Sequence, residues 1–476
     1  MKIQRLIVLA SLLFLAALGS LRAQLDSATK QLARDIFKRL IEINTTDSVG
    51  STTAAADAMA KRLRDAGFPV SDVQVLGPND RKGNLVARLH GTGAHRPLLL
   101  IGHLDVVEAR REDWSVDPFQ FTEKDGYFYG RGTQDMKDCD AILVTTLIRL
   151  KQENYTPDRD IVLALTADEE GGKSNGVEWL LRNHRDLIEA EFVLNPDGGG
   201  IYTRNGKPVM MSLDASEKLY ADYQFEVKNP GGHSSLPVPD NAIYRLTGGL
   251  SRLQQYSFPF ELTEVTRAYF EQMAATESAQ TSADMKAILE IPPDPAAVKR
   301  LSASALYNAT FRTTCVPTRL DAGHANNALP QTARAIVNCR ILPGHSREEV
   351  RRDLVRILAD PQIAVSFVSN KGEIQATAPA DQGLPPTPLR RDLMEPLEKV
   401  TREMWPRVRM IPTMATGASD GVYTNAAGMP TYGISGVALD FDDVRAHGRD
   451  ERVGVESYYQ GVEFYYRFLK AITTQP

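Results

Sequence analysis

Five short polar clusters, each following an apolar strand-like run, constrain this chain more than any other feature. In order they are Gly102-His103-Leu104-Asp105, Gly130-Arg131-Gly132-Thr133-Gln134-Asp135-Met136-Lys137, Asp168-Glu169-Glu170-Gly171-Gly172, Asn195-Pro196-Asp197 and Ala446-His447-Gly448-Arg449-Asp450-Glu451. Apolar runs at 84–89, 97–101, 160–165 and 191–194 alternate with helical spacing at 27–43, 52–66 and 141–152. Strands buried on both faces and covered by helices make an α/β domain with a mixed sheet. Ligands of such sheets gather at the carboxyl ends of the strands, where these clusters fall.

Imidazole and carboxylate groups without cysteine suit a catalytic centre for divalent ions, which keeps positions open for water and substrate. His103 and Asp105 lie two apart at a strand end and share a side, so one can ligate while the other accepts from its second ring nitrogen. Asp135 follows a Gly-Arg-Gly turn, and its two oxygens can bridge two ions. Glu169 and Glu170 point in different directions at their strand end, so one can ligate while the other moves a proton. Asp197 and His447 are further ligand candidates. Each cluster alone has a plainer reading. These are a buried histidine with a capping aspartate, a helix cap at Asp135, a solvated acidic loop at 169–170, an ordinary acid after a strand at Asp197 and a surface histidine at 447.

At 476 residues the chain exceeds the size at which one core keeps growing, so two domains are expected. From about residue 214 the texture changes. Strand-like alternation at 219–227, 333–341 and 364–368, with helices at 240–254 and 346–358, describes a small α+β module. Residues 258–314 look helical and without recognisable chemistry, and the Pro-rich and Ala-rich stretch 375–388 reads as a linker back to the first domain. The expected organisation is a leader at 1–23, catalytic domain at 26–213, inserted domain at 214–378 and catalytic domain again at 379–476.

Lys2, Arg5, an apolar stretch at 6–18 and a cut at Ala23-Gln24 have the layout of a secretory signal, so the protein is expected to be exported, periplasmic or secreted. No cysteine precedes Cys139, which excludes a lipoprotein anchor at that cut, and nothing else predicts stable membrane insertion. A net charge of -5 without a dense basic block argues against nucleic acid as a partner. Cys139, Cys315 and Cys339 are too few for a disulfide framework; a bridge between the last two is open, and the spacing does not demand it.

Gly-His-x-Asp, Gly-Arg-Gly-x-x-Asp-Met-Lys, the Glu-Glu pair, the later acid, Gly231-Gly232-His233-Ser234-Ser235 and His-Gly-x-x-Glu occur in the order seen in zinc metallopeptidase family 20. The resemblance covers nearly all of the chain beyond the leader. It implies a zinc-exopeptidase-like catalytic domain with an inserted lid that in the family also serves dimerisation, hence a homodimer. It implies two divalent ions, zinc foremost with cobalt or manganese as substitutes. His103, Asp135 and Asp197 would surround one, and Asp135, Glu170 and His447 the other. Asp105 would orient His103, and Glu169 would be general base toward a metal-activated water. His233 looks like the lid histidine that reaches a neighbouring site to stabilise an oxyanion, although by itself the segment reads as a turn before a helix. Asn327 and Arg340 match lid positions that contact substrate, Arg340 through a free carboxylate. Ser419 and Gly436 belong to loops resembling those that line the substrate end.

Two departures stand out: Asp138 occupies a position that is commonly glycine, and residues 258–314 enlarge the lid. The function implied is an exopeptidase of the carboxypeptidase or dipeptidase kind, cleaving a peptide-type amide near a free carboxylate. An N-acyl-amino-acid deacylase is the alternative; Asp at 197 is frequent in aminoacylase and dipeptidase members. A noncatalytic binding protein on the same scaffold would lack a ligand or the base, and none is missing.

Overall fold

In a computed structural model, residues 25–474 are described, apart from Lys371, 380–382 and Pro386. The expected leader and its cleavage point lie outside the described residues. No described helix is long and apolar enough to cross a membrane.

A ten-stranded mixed sheet organises the larger unit. Its centre is parallel and runs Ile161–Thr166, Leu98–His103, Phe192–Asn195, Thr431–Gly433. Antiparallel strands Asn84–Leu89 and Val73–Leu76 extend one side, and Lys207–Glu217 begins the other. Side chains alternate between two cores: Leu98, Leu100, Leu163 and Leu194 enter one, and Leu99, Ile101, Val162 and Val193 enter the other. This two-sided burial is why the strands read as unbroken apolar runs. Helices Ser27–Ile41, Thr52–Asp65 and Lys137–Gln152 cover one face, the first two capped by Asp26 and Ser51. The final helix, Val455–Ile472, packs against Lys137–Gln152 and against Arg391–Met404. The sheet is thus completed by chain from both ends of the sequence.

A second, five-stranded antiparallel sheet is ordered Thr314–Ala322, Thr332–Ile341, Leu219–Lys228, Ile363–Val368, Ile374–Gln375. Alternate residues Leu219, Ala221, Tyr223, Phe225 and Val227 are buried in its own core beneath helices Ala242–Gln255 and Arg347–Leu358. Ser346 and Glu349 close a capping box on the second of these helices. Thr314–Ala322 is an edge strand that the sequence reading did not anticipate. It carries Pro317 and is largely exposed, so it shows no apolar periodicity. Its Cys315 lies directly across from Cys339, and the two form a disulfide.

Residues 258–314 depart from expectation. They fold into four helices whose core of Phe270, Met285, Ile288 and Phe311 closes on Ile411 of the larger sheet. Helix Glu264–Met273 lies along strand Arg409–Ala415, and Lys218 is tied to the Arg312 carbonyl at 2.5 Å. The helices of residues 258–314 thus pack on the larger sheet, where the sequence reading had assigned them to the second module.

Candidate metal centre

His103 ends the strand Leu98–His103 almost completely buried. Gly102 before it leaves room for the covering helix, since a Cβ there would sit 2.3 Å from the Asp140 carboxylate unless that side chain shifted. One strand over, Asp168 follows Ile161–Thr166 and is taken up by Lys82 and the Ser174 amide, leaving Glu169 and Glu170 to face the cleft. Asp197 follows Phe192–Asn195, its amide held by the Asn195 side chain at 3.2 Å. Asp135 lies just before helix Lys137–Gln152, and its peptide bond to Met136 is cis. His447 arrives on a loop near the C-terminus.

These residues converge as two sets that share one member. In the first, His103 Nε2 lies 3.0 Å from Asp135 Oδ1 and 3.8 Å from Asp197 Oδ1. In the second, His447 Nε2 lies 2.9 Å from Asp135 Oδ2 and 2.7 Å from Glu170 Oε1. Within each set the offered ligand atoms all lie within 4.8 Å of one another. Asp135 presents a different oxygen to each set, the arrangement by which one carboxylate spans two ions. Two imidazoles and three carboxylates form a donor set for divalent cations of the zinc type.

The electrostatics have the same character. Burial acts to lower His103, yet the hydrogen bond with Asp135 and the nearby charge of Asp197 hold it well above its ordinary range. The bond to Asp135 leads in lifting His447 to about 9. Although burial acts the other way, the two imidazoles pull Asp135 below the usual carboxylate range. Burial, with Asp135 beside it, pushes Glu170 up to about 7. Protons thus occupy the places that cations would take. Glu169 stands apart: no hydrogen bond from the described residues reaches its carboxylate, and burial pushes it well above the ordinary range.

Asp105 does not orient His103 through its side chain. The ring Nδ1 meets the Asp105 backbone oxygen at 3.0 Å, with the carboxylate 3.8 Å away. Instead the two Asp105 oxygens accept from the amides of Glu169 and Glu170 at 3.1 and 3.0 Å, fixing the turn that presents both acids. Glu451 organises the other half. Fully buried, it accepts from the amides of Gly132, Gln134 and Asp135 at 3.1, 2.7 and 3.2 Å and from Arg131 at 2.6 Å, while Arg131 reaches the His447 carbonyl at 3.4 Å. It stands in the His-Gly-x-x-Glu motif, so its position was visible in the sequence and its task was not.

Sequence reading missed Glu217 and Asp214, and gave no task to Asn195 in its cluster; all three also line the central pocket of about 240 Å3. Glu217 accepts from the Ser419 amide and hydroxyl at 2.8 and 3.0 Å, and burial pushes it up to about 8. Ser419 accepts from Asn195 at 3.0 Å, which ties this wall to Asp197. Arg340 lines an adjoining cavity of about 650 Å3 that shares Glu169, Glu170 and Ser419 with the central pocket, its guanidinium 4.8 Å from the centre of the Tyr220 ring. His233 and Asn327 are brought together where Gly232–His233 pairs with Ala328–Leu329. Both are exposed, and the described contacts of the His233 ring run to Ser235. Gly436 is not among the residues lining these cavities. A Cβ there would strike the Phe464 ring at 2.5 Å, so its smallness serves the packing of the final helix.

A family model described as peptidase family M20/M25/M40 matches residues 99–471. N-fatty-acyl-amino acid synthase/hydrolase PM20D1 of Homo sapiens is 29% identical over 388 residues, covering 80% of this chain and 74% of that protein. A probable carboxypeptidase S-like 2 of Dictyostelium discoideum is 29% identical over 386 residues, 79% of this chain and 71% of the other. Among solved structures, the M20 family metallo-carboxypeptidase Sso-CP2 from Sulfolobus solfataricus has a TM-score of 0.69 at 17% identity, over 93% of this chain and 99% of that one. Human carnosine dipeptidase 1 has a TM-score of 0.60 at 17% identity, over 93% and 97%. With its polar clusters at the ends of a parallel sheet and a family model spanning both segments of that sheet, this chain belongs to peptidase family M20.

Proposed function

We propose that the protein is a metal-dependent hydrolase that cleaves a peptide-type amide near a free carboxylate, an exopeptidase of the carboxypeptidase or dipeptidase kind. The observation that carries this reading is the pair of ligand sets sharing Asp135, with the unpartnered Glu169 carboxylate beside them. His103, Asp135 and Asp197 would hold one ion, and Asp135, Glu170 and His447 the other, with zinc the natural occupant and cobalt or manganese able to replace it. Such ions supply Lewis acidity to a carbonyl oxygen and acidify water. Glu169, raised in pKa and free to move, takes the proton from the attacking water and returns it to the leaving nitrogen. Asp105 keeps Glu169 in place through its amide. Arg340 pairs with the substrate carboxylate, and Ser419 lines the path between the cavities. His233 and Asn327, exposed together on the lid, would complete the site of a second subunit in a homodimer by donating to the oxyanion. The expected leader makes the enzyme exported, periplasmic or secreted.

An N-acyl-amino-acid deacylase is the second reading, supported by the relatives whose name is N-fatty-acyl-amino acid synthase/hydrolase. The two separate by experiment: zinc-loaded and cobalt-loaded protein is assayed on dipeptides, N-acetyl amino acids and long-chain N-acyl amino acids. Turnover of one class that disappears in Glu169→Gln, with metal content intact, supports the mechanism. Undiminished hydrolysis in that variant, or protein that retains no ion, would return the chain to a binding role on a hydrolase scaffold.

A further inference from the structure

The three cavities around the centre form a series. The central pocket shares Glu169, Glu170 and Ser419 with the cavity carrying Arg340, and through a different part of its wall shares Asp197, Gly198 and Asp214 with a third cavity of about 950 Å3. If Arg340 holds the carboxylate on the leaving-amine side, as the proposed function has it, the acyl side of the substrate leaves the centre toward this third cavity.

Its walls are unusual in charge. Besides Asp197 and Asp214 it is lined by Asp138, Asp440, Asp442, Asp443 and Glu456, against one basic side chain among the described residues, Arg452. That arginine is already engaged with Asp443 at 2.7 and 3.0 Å. Aromatic rings of Tyr127, Tyr202 and Trp405 share the lining. The second observation concerns Asp138 itself. It is 2% exposed, and its Oδ1 is buried without a hydrogen-bond partner, a costly arrangement for a polar atom unless something arrives to satisfy it. It is also the residue that stands where glycine is common in the motif.

We propose that this cavity is the acyl-side subsite, and that it selects an extended acyl group ending in a cation, with Asp138 as an anchor. An ammonium or guanidinium would supply the missing donor and be attracted by the surrounding carboxylates. Acyl groups ending in a carboxylate, such as succinyl, would be repelled.

The test uses the metal-loaded full-length enzyme and four amides of one amino acid: acetyl, octanoyl, 8-aminooctanoyl and 7-carboxyheptanoyl. The expected result is a kcat/KM for 8-aminooctanoyl at least about tenfold above octanoyl, carried by KM, with 7-carboxyheptanoyl the poorest of the three long amides. Asp138→Asn is expected to lower the ratio of 8-aminooctanoyl to octanoyl at least about fivefold. Glu456→Gln, at the exposed rim, is expected to lower it less and guards against a folding defect in the first variant. Equal or better turnover of octanoyl, or a ratio unmoved in Asp138→Asn that is folded by circular dichroism, overturns the subsite while hydrolysis of the acetyl amide upholds the centre. Absence of turnover with all four amides overturns the reading of the centre, and the subsite with it.

Discussion

The two ligand sets meet at Asp135 yet are built differently. The first grows from parallel strands: His103 is a strand residue with its side chain 2% exposed, and Asp197 follows the neighbouring strand. Neither can shift without disturbing the sheet. The second depends on a loop whose His447 side chain is 53% exposed and whose course is set by Arg131 and Glu451. One half is thus positioned by packing and the other by a buried ion pair, although both sets include the same carboxylate. Elements that only clamp a loop carry as much of the site's geometry as the strands do, and they are the more vulnerable.

The largest effect tests whether the halves are one unit. Asp135→Asn is expected to abolish both ions together and to lower kcat/KM about 10^4-fold, the scale on which members of a cooperating catalytic set behave. Retention of one ion per chain by elemental analysis would break the picture of a shared bridge. Next, Glu169→Gln should lower kcat about 10^2-fold to 10^4-fold while both ions remain, which separates proton transfer from metal binding. Glu451→Gln sharpens the contrast directly. Stepwise metal titration is expected to show one ion bound as before and the other weakened about 10-fold to 100-fold, since residues that position ligands act on that scale. Equal weakening of both would show that the clamp supports the entire centre.

A further effect concerns protons. His447 is raised to about 9 without an ion, so at pH 7 a cation must displace its proton. Affinity of the loop-side ion should therefore rise with pH between about 7, the value for Glu170, and 9, by up to about tenfold per unit, and level off above. A flat dependence across that window, measured with a chelator-buffered metal series, would show that the imidazole is not protonated in the metal-free protein.

How much of this could be read in the sequence follows from the same contrast. The central strands were legible because burial on both faces leaves continuous apolar runs, and their polar endings mark the carboxyl edge where His103, Glu169, Glu170 and Asp197 lie. Asp135 and His447 were legible as motif members. What escaped depends on partners distant in sequence. Asp105 lies two residues from His103 and invited a pairing with the ring, but the ring meets its backbone oxygen and its carboxylate turns to Glu169 and Glu170. Glu217 and Asp214 sit in Lys207–Glu217, a strand the reading did not anticipate, where buried acids look like an ordinary polar face. The seating of residues 258–314 on Ile411 and the cross-strand neighbours Cys315 and Cys339 are matters of register, which spacing alone does not determine.

The Glu451 clamp also orders events in time. A ribosome releases His103, Asp135, Glu169, Glu170 and Asp197 early, while strand Thr431–Gly433, which fills the place between Phe192–Asn195 and Lys207–Glu217, emerges much later. His447 and Glu451 follow it, near the C-terminus. A polypeptide without residues 431–451 therefore carries most of the candidate site residues but has an unfilled sheet and an unclamped loop. Loss of residues 431–451 is therefore expected to cost the loop-side ligand set and the strand that closes the sheet together.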